Sequence, residues 1–447
     1  MGALAQPTRS LSSACDRRWS IIKYAAASRV AALVLALVSN AIVDDYDASA
    51  SISIPATSSA LQSALHGLVR VCVRWDAVYM VHIADVGYVH EQEHAFFPLL
   101  PLLMRAVANT VLAPLTACVD RRLALALAGV IISNASFVLA AETLYALGRA
   151  TLRSERLAYI AALLFAAAPS NMFMSAIYTE SLFAWLVFSA LLLIAQRRHA
   201  WAALCLCASG LCRSNGVVYA GFFVWDLVVC SDAWRGRRRL ALALQMAHAA
   251  ALVVVSALGF VAFQVYGYRT YCMLQSEGSV PRPYCSSAVP SIYSFVQAEY
   301  WDVGFLRYYT MQQVPNFALA APMVALSLAG LWAYVAHDPL RVAALGWRQL
   351  RRKRADSESA PLASAFFGRA LLPHMYLWAL LLWVATTTMH VQVVTRFFSS
   401  VPAVFWFAAH AVADRGGAAW RRRAVAGFFV AYGLAGVALF SNFFPPA

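Results

Sequence analysis

The chain has 447 residues, of which 62% are hydrophobic and 13% charged, and its mean hydropathy is +0.64. A soluble domain carries about 25% charged residues, so this composition excludes a soluble globular enzyme and indicates an integral membrane protein. The net charge of +14 does not indicate nucleic-acid binding, because the basic residues stand in short clusters between apolar runs, as the positive-inside rule predicts.

The apolar runs are long and do not alternate, so they predict spanning helices rather than strands. We expect a first span at 24–43, behind a basic N-terminal segment that stays cytoplasmic. The later runs follow in order at 123–148, 157–168, 182–195, 200–231 with a break at RSNG, 240–266, 318–336 and 371–389, with two passes around WRRR at 420–423. This pattern predicts an all-α polytopic bundle of about 11–13 transmembrane helices, with 1–447 as one membrane domain.

Residues 95–117 are apolar but are interrupted by Arg105, Asn109 and Pro114. Two interpretations stay open for them, a spanning helix and a re-entrant segment. The choice matters because this run follows the most polar stretch in the first half of the chain, Arg74 to Pro101.

That polar stretch carries four acids and three histidines, and we expect a short helix on the membrane surface followed by a polar turn. Asp76 directly follows Trp75, at the edge between an apolar and a polar face. A carboxylate held at a membrane surface beside an aromatic ring suits a base for chemistry on a lipid-borne substrate. We expect the acid Glu93 and its neighbours His90 and His94 to be solvated.

Two large loops, 44–122 and 267–317, are expected on the same side of the membrane, opposite the basic clusters. In the second loop, Cys272 and Cys285 flank a polar, proline-bearing sequence. They are able to form a disulfide if this loop faces an oxidising lumen, but the spacing does not decide between a bonded and a free pair.

Five motifs in one order resemble the PIG-V family, the second mannosyltransferases of GPI-anchor assembly. They are WDAVYMVHIADVGYVHEQEHAFFPLLP at 75–101, AIYTESLFA at 176–184, RSNG at 213–216, VPNFALAAP at 314–322 and HVQVVTRF at 390–397. The DYDAS sequence at 45–49 and the SNFFP ending also fit, so the resemblance covers nearly the whole chain.

The resemblance implies a GT-C-type glycosyltransferase of the endoplasmic reticulum membrane, with luminal interfacial helices and a catalytic acid in the first luminal loop. The donor would be dolichol-phosphate-mannose, and the acceptor would be a GPI precursor that already carries one mannose. The product would carry a second mannose in α1,6 linkage, and transfer from a β-linked donor to an α-linked product implies inversion. GT-C enzymes often show paired acids, whereas a single acid, Asp76, follows Trp75 here.

An inverting transfer needs a base and groups that hold the leaving phosphate. Asp76 is the candidate base; the alternative is an interfacial acid at a helix end. Glu91 is the second candidate for catalysis or a contact to the acceptor sugar, with a solvated turn residue as the alternative. Arg213 and Arg396 are the candidates for the phosphate, since a guanidinium fork matches phosphate geometry.

The other substrate-binding candidates lie in the same motifs: Trp75, Tyr178, Glu180, Asn215, Asn316 and His390. Tyr178 equally suits an interfacial aromatic belt, and Glu180 suits an ion pair with Arg213. A helix cap is the alternative for Asn316.

No sequence pattern predicts a metal site or a cofactor other than the donor substrate. The expected partners are dolichol-phosphate-mannose, the GPI precursor, membrane lipid and a small membrane subunit. The rival functions are another GT-C glycosyltransferase with a different acceptor, a lipid or sugar transporter, and a non-catalytic membrane subunit. A transporter should show internal repeats, which we do not find in the sequence.

Overall fold

A computed structural model describes residues 7–46, 59–236, 238–273, 282–347, 362–414 and 416–444. Within these ranges every regular element is a helix and no strand occurs, which confirms the all-α prediction. Helices are the expected solution, because each helix satisfies its own backbone hydrogen bonds where water is absent. The basic RQLRRKR sequence at 348–354, expected in the cytoplasm, lies outside the described residues.

Six helical segments are long and apolar enough to cross a membrane: Asp16–Ile42, Arg121–Leu152, Arg239–Met273, Met311–His337, Arg369–Thr387 and Ala419–Ser441. The first of them continues a helix that begins at Pro7. Five overlap the spans expected at 24–43, 123–148, 240–266, 318–336 and 371–389, and the sixth is one of the two last passes.

Further apolar helices are shorter, namely Leu99–Asn109, Glu180–Ala195, His199–Gly210 and Ser214–Val229. The last two meet at RSNG, where a break was expected. Two other segments, Val391–Ser400 and Pro402–Ala413, meet at 88°. The described chain thus has six helices long and apolar enough to span, or seven with the bent pair, and it reaches the expected range of about 11–13 only if the shorter helices cross as well.

The run at 95–117 does not form one straight span. Its main helix, Leu99–Asn109, has 11 residues and is followed by the short helix Ala113–Thr116. At about 1.5 Å per residue the first helix is roughly half as long as the hydrocarbon core is thick. The Arg105 side chain inside it turns back and donates to the carbonyl of Ala84 at 2.8 Å.

The remaining described helices lie between these segments, and among them Glu155–Ala166 corresponds to the apolar run expected at 157–168. They are Ala60–Val69, Arg70–Cys72, Asp76–Val86, Glu91–Ala95, Glu155–Ala166, Asn171–Ser175, Asp232–Arg235, Pro283–Ser286, Ile292–Tyr300, Pro339–Ala343 and Leu362–Phe367.

Arg121–Leu152 lies at the centre of the bundle and is the most buried of the six long segments. It packs against Glu155–Ala166 and Glu180–Ala195. Two of its polar side chains hold the segment just before Glu180: Ser133 donates to the carbonyl of Tyr178 at 3.4 Å, and Asn134 donates to that of Ser175 at 3.0 Å. The central helix therefore fixes the position of the AIYTES motif.

Candidate active site

Asp76 is the first residue of the helix Asp76–Val86, where a carboxylate is favoured by the helix dipole. The preceding Trp75 has φ +53° and ψ −123°, a rare conformation for a bulky residue. Tyr178 bridges this turn, because its hydroxyl donates to the carbonyl of Arg74 and accepts from the backbone N–H of Asp76, both at 3.2 Å. The turn that presents Asp76 is therefore tied directly to the AIYTES motif.

Two acids and two arginines from four motifs form one ion-pair network. Arg396 Nη2 lies 3.2 Å from Asp76 Oδ2, and Arg396 Nε donates to Glu180 Oε1 at 2.9 Å. Arg213 Nη1 contacts the same Glu180 oxygen at 2.8 Å. Both arginines therefore bind the same Glu180 carboxylate, and Arg396 also binds Asp76.

Glu180 is fully buried, whereas the Asp76 side chain is 34% exposed. Burying a carboxylate without cations nearby is costly, so the two arginines account for the presence of Glu180 in the core. The Arg396 guanidinium also lies over the rings of Phe173, at 4.4 Å, and Tyr178, at 4.8 Å. Burial and the neighbouring Asp76 carboxylate hold the pKa of Tyr178 well above its ordinary value, so its hydroxyl stays a donor.

A cavity of about 520 Å³ opens beside this network. The sequence-predicted residues on its wall are Trp75, Asp76, Tyr178, Arg213, Asn215, His390 and Arg396. Glu180 is not on the wall, but it bonds to both cavity arginines from behind. The structure thus brings together residues from four of the five motifs.

Three side chains on the cavity wall carry a buried polar atom without a hydrogen-bond partner in the described chain. These atoms are the indole Nε1 of Trp75, the amide Nδ2 of Asn215 and the amide Oε1 of Gln392. Buried polar groups normally find a partner, and unpaired ones call for an explanation such as a missing ligand. All three atoms are buried, so they do not face the open cavity, although the side chains that carry them line it.

His390 and Asn316 take part in one contact chain at the edge of the cavity. The His390 Nε2 atom lies 2.8 Å from the carbonyl oxygen of Trp301, and its ring stacks on Tyr308 with centroids 4.5 Å apart. Asn316 donates to the Tyr308 hydroxyl at 2.8 Å and to the side chain of Gln313. Gln313, and not Asn316, is the N-cap residue of the helix Val314–His337, so the cap expected for Asn316 is wrong.

Glu91 is buried and lies outside the residues that line the cavity. Its carboxylate accepts from the hydroxyls of Tyr284 at 2.8 Å and Tyr300 at 3.0 Å, and Arg282 lies 3.1 Å away. Burial and the hydrogen bond to Glu91 raise the pKa of both tyrosines, which keeps them protonated as donors. The solvated turn considered as the alternative for Glu91 is therefore wrong, while a role in the reaction stays a prediction.

The neighbours of Glu91 also differ from expectation. Glu93 and His94 are buried, although we expected them to be solvated, and only His90 is exposed. Glu93 accepts from the backbone N–H groups of Val89 and His90 and pairs with His82 at 2.6 Å. Glu93 is therefore a buried acid that holds the turn after Gly87, a position with φ +90°.

The second loop supplies a wall of the cavity that the motifs alone did not reveal. Gln297 and Trp301 line it, as does Phe96 from the first loop, whose ring packs edge-on against Trp301 at 5.8 Å. Cys272 and Cys285 are joined in a disulfide, with their Cα atoms 5.6 Å apart. In the sequence, the aromatic and amide residues of this loop were the only feature that pointed to its part in the cavity wall.

No group of three or more His, Cys, Asp or Glu side chains able to hold a metal ion occurs in the part of the chain that the structure describes. Asp76 and Glu180 each face arginine rather than a third acid or a histidine.

A family model described as Mannosyltransferase (PIG-V) matches residues 18–447. GPI alpha-1,6-mannosyltransferase 2 of Rattus norvegicus is 35% identical over 427 residues, which cover 88% of this chain and 84% of the rat protein. The Homo sapiens protein of the same name is 34% identical, with 89% and 85% covered. GPI mannosyltransferase 2 of Gibberella zeae is 31% identical, with 90% and 92% covered.

Among solved structures, the apo form of an Archaeoglobus fulgidus oligosaccharyltransferase has a TM-score of 0.43 at 15% identity, covering 94% of this chain and 56% of that one. Its form tethered to an acceptor peptide has a TM-score of 0.42 at 13% identity, covering 93% and 55%. Such a likeness carries no functional conclusion. The match over nearly the whole chain and the identity to full-length relatives do: the chain belongs to the PIG-V family of mannosyltransferases and is a membrane glycosyltransferase.

Proposed function

We propose that this enzyme transfers the second mannose, in α1,6 linkage, from dolichol-phosphate-mannose to a GPI precursor by a single inverting displacement. Relatives at 34–35% identity that carry the name GPI alpha-1,6-mannosyltransferase 2 support the acceptor and the linkage. A transporter or a non-catalytic subunit does not fit membership of a mannosyltransferase family.

One observation carries the proposal: a carboxylate and two guanidinium groups meet at the wall of a single cavity. Asp76 is accessible there, and Arg213 and Arg396 line the same wall. An inverting transfer from a lipid phosphate needs a base for the acceptor hydroxyl and cations for the leaving phosphate. Both requirements are met within one ion-pair network.

The reaction follows from these positions. Asp76 takes the proton of the acceptor C6 hydroxyl while that oxygen attacks the anomeric carbon of mannose from the face opposite the phosphate. The bond between the anomeric carbon and the phosphate oxygen breaks, and its electron pair leaves with the dolichol phosphate. Arg213 and Arg396 stabilise that charge, since a guanidinium has five N–H donors and these two use only some of them on Glu180. In this scheme the donor supplies the activated sugar and no cofactor takes part.

Trp75, Asn215 and Gln392 line the cavity, and we assign these side chains to contact with the sugars. We assign Glu180 to holding the two arginines rather than to sugar contact, because its side chain is fully buried behind them. His390 and Asn316 shape the edge of the cavity through Tyr308. Glu91 anchors the second loop to the first.

We place the cavity on the luminal side of the endoplasmic reticulum membrane, with the N-terminus in the cytoplasm. The disulfide between Cys272 and Cys285 supports this orientation, because disulfides persist in oxidising compartments and the bonded loop contributes to the cavity wall. A small membrane partner subunit remains part of the proposal, as an aid to stability or substrate delivery rather than to the chemistry.

The test uses the full chain purified in detergent, with dolichol-phosphate-mannose and a synthetic glucosaminyl-phosphatidylinositol that carries one mannose. Asp76→Asn is measured beside Asp85→Asn. Asp85 lies on the same helix but pairs with Arg121 and Arg122, both at 3.1 Å, and is not on the cavity wall. The product is analysed by mass and by digestion with an α1,6-specific mannosidase.

We expect one mannose to be added by the wild type and by Asp85→Asn, and none by Asp76→Asn. Transfer to a different acceptor, or a mannosidase-resistant linkage, would contradict the substrate assignment. Full activity of Asp76→Asn would contradict the assignment of the base. If the chain is active only after its candidate subunit is added, the partner prediction is supported.

A further inference from the structure

The residue before the Trp75–Asp76 pair is a buried arginine held by the segments at the ends of the first and the last spanning helices. Arg74 is 3% exposed, and its Nη2 atom lies 3.3 and 3.2 Å from the two carboxylate oxygens of Asp45. Its Nε donates to the carbonyl of Ser441 at 3.2 Å, and its guanidinium lies 4.2 Å from the centre of the Phe443 ring. Asp45 and Phe443 belong to the DYDAS and SNFFP sequences, to which the reaction above assigns no part.

These two distant segments also bind each other around Arg74. Asn40 donates to Asp45 Oδ1 at 2.8 Å and to the side chain of Asn442 at 3.1 Å. Asn442 in turn donates to Ser39 at 2.8 Å, and its carbonyl accepts from the backbone N–H of Tyr46 at 2.9 Å. The end of the first spanning helix and the end of the last one therefore form a single receptacle for the Arg74 side chain.

The receptacle acts on the turn that presents Asp76. Trp75 adopts φ +53°, which a bulky residue keeps only where its surroundings enforce it. On one side of Trp75, the Arg74 side chain is fixed by the receptacle, and its carbonyl accepts from Tyr178. On the other side, the Asp76 N–H donates to the same Tyr178 hydroxyl. The Trp75 ring itself lies 6.0 Å from that of Phe443.

A buried arginine needs a counter-charge anywhere in a protein, and Asp45 alone meets that need. Charge balance does not explain why a ring and a carbonyl from the end of the last spanning helix also hold this guanidinium, or why the cluster is adjacent to Asp76. A positioning role explains both features, because a displacement of a reacting group by about 1 Å is enough to lower turnover by roughly 100-fold.

We propose that Asp45 and Phe443 are positioning residues which, through the Arg74 side chain, hold Asp76 in its reactive place at the cavity wall. The inference rests on the proposed function, since it takes Asp76 to be the base. Neither residue touches the substrate in this arrangement, so their loss should lower kcat and leave the KM for the donor unchanged.

The experiment compares Asp45→Asn and Phe443→Ala with two neighbours. Asp44→Asn changes the adjacent acid, which is exposed like Asp45 but is not the one that pairs with Arg74, and Phe444→Ala removes a ring of equal size that packs on Tyr46 at 5.2 Å. Each purified variant is checked for a monodisperse, folded state before kcat and KM are measured. Asp76→Asn is included as the reference for loss of the base.

We expect kcat to fall between about 10- and 100-fold in Asp45→Asn and Phe443→Ala and to stay within about twofold of wild type in the two neighbours. Asp45→Glu, which keeps the charge, should recover part of the loss. In an Arg74→Met background, Asp45→Asn should have no further effect on kcat, because both act through one guanidinium. If Arg74→Met does not fold, the kcat values of the single variants and of Asp45→Glu still show whether Asp45 and Phe443 are positioning residues.

Wild-type kcat in folded Asp45→Asn and Phe443→Ala, with Asp76→Asn inactive, would overturn the inference and leave the proposed function intact. An equal loss of kcat in Phe444→Ala and Phe443→Ala would also overturn it, since contact with Arg74 would not be the cause. Full activity of Asp76→Asn would instead overturn the proposed function and the inference with it.

Discussion

Arg396 contacts Asp76 at 3.2 Å although 320 positions of sequence separate the two residues. The same guanidinium donates to Glu180 at 2.9 Å, so one cation serves the candidate base and a buried acid. With Arg213 on the same Glu180 oxygen, two positive and two negative groups balance each other beside the cavity. Removal of any one member leaves the network with an unbalanced charge.

Replacing Arg396 with glutamine should therefore damage both folding and catalysis. Glu180 keeps Arg213 but loses its charge-assisted hydrogen bond from Arg396, so we expect the free energy of unfolding to fall by about 2 kcal/mol. The leaving phosphate also loses one of its two cations, which should lower kcat on the order of 100-fold. Denaturant unfolding in detergent and steady-state transfer assays measure the two effects separately.

Two variants serve as controls for the Arg396 prediction. Arg396→Lys keeps the charge but not the fork that spans Asp76 and Glu180, so it should recover stability more than kcat. Arg307→Gln removes an arginine whose ion pair with Asp302 is largely exposed, and it should change neither quantity. Normal kcat in Arg396→Gln would exclude Arg396 as a phosphate ligand.

The sequence predicted the members of this network and offered the ion pair between Glu180 and Arg213, which the structure confirms, but it did not predict that Arg396 pairs with both acids. Alternation of basic clusters and polar motifs across the membrane put Asp76, Glu180, Arg213 and Arg396 on one side, and the structure brings them together. Which arginine faces which acid depends on how bent and broken helices pack, such as the 88° bend after HVQVVTRF. Hydropathy carries no information on such angles.

The burial of Glu91, Glu93 and His94 was not predictable for a related reason. A polar turn with several charges usually indicates a solvated loop, and that expectation rests on local composition alone. Here Tyr284 and Tyr300, from a loop about 200 positions later, cover Glu91 with hydroxyl donors. Composition describes a segment but does not say what folds over it.

Glu91→Gln tests whether the covered acid anchors the second loop. Glutamine keeps one acceptor but loses the charge that two tyrosines and Arg282 share, so we expect a loss of about 2 kcal/mol in the free energy of unfolding. The loop carries Trp301 to the cavity wall, so KM should rise more than kcat falls.

Glu299→Gln is the matched control for Glu91→Gln, because Glu299 is an exposed acid on the adjoining helix Ile292–Tyr300. It should leave both stability and KM unchanged. A loss of kcat in Glu91→Gln with wild-type stability and KM would contradict the anchoring role and restore Glu91 as a catalytic candidate.

The disulfide should stabilise the same loop from its other end. Cys272 and Cys285 are 13 positions apart, and closing a loop of about 15 residues is worth up to roughly 3 kcal/mol. Tyr284 is adjacent to Cys285, so Cys272→Ser should also weaken the anchor on Glu91 and raise KM. Cys118→Ser, which removes an exposed free cysteine, is the control and should do neither. Equal stability of wild type and Cys272→Ser would show that the bond does not constrain the loop.

His94 should make the stability of the protein depend on pH. Its ring is stacked on Phe263 at 5.2 Å, both ring nitrogens are buried without a partner in the described chain, and burial lowers its pKa from 6.5 to about 4. Because the unfolded chain binds this proton more readily, the stability contributed by neutral His94 is complete above pH 6.5 and is lost as the pH falls toward 4.

We expect the free energy of unfolding to drop by about 2 kcal/mol more between pH 7.5 and pH 5 in wild type than in His94→Gln. Unfolding curves of both proteins at the two pH values measure this difference, and parallel losses would show that His94 is protonated as easily in the folded chain as in the unfolded one.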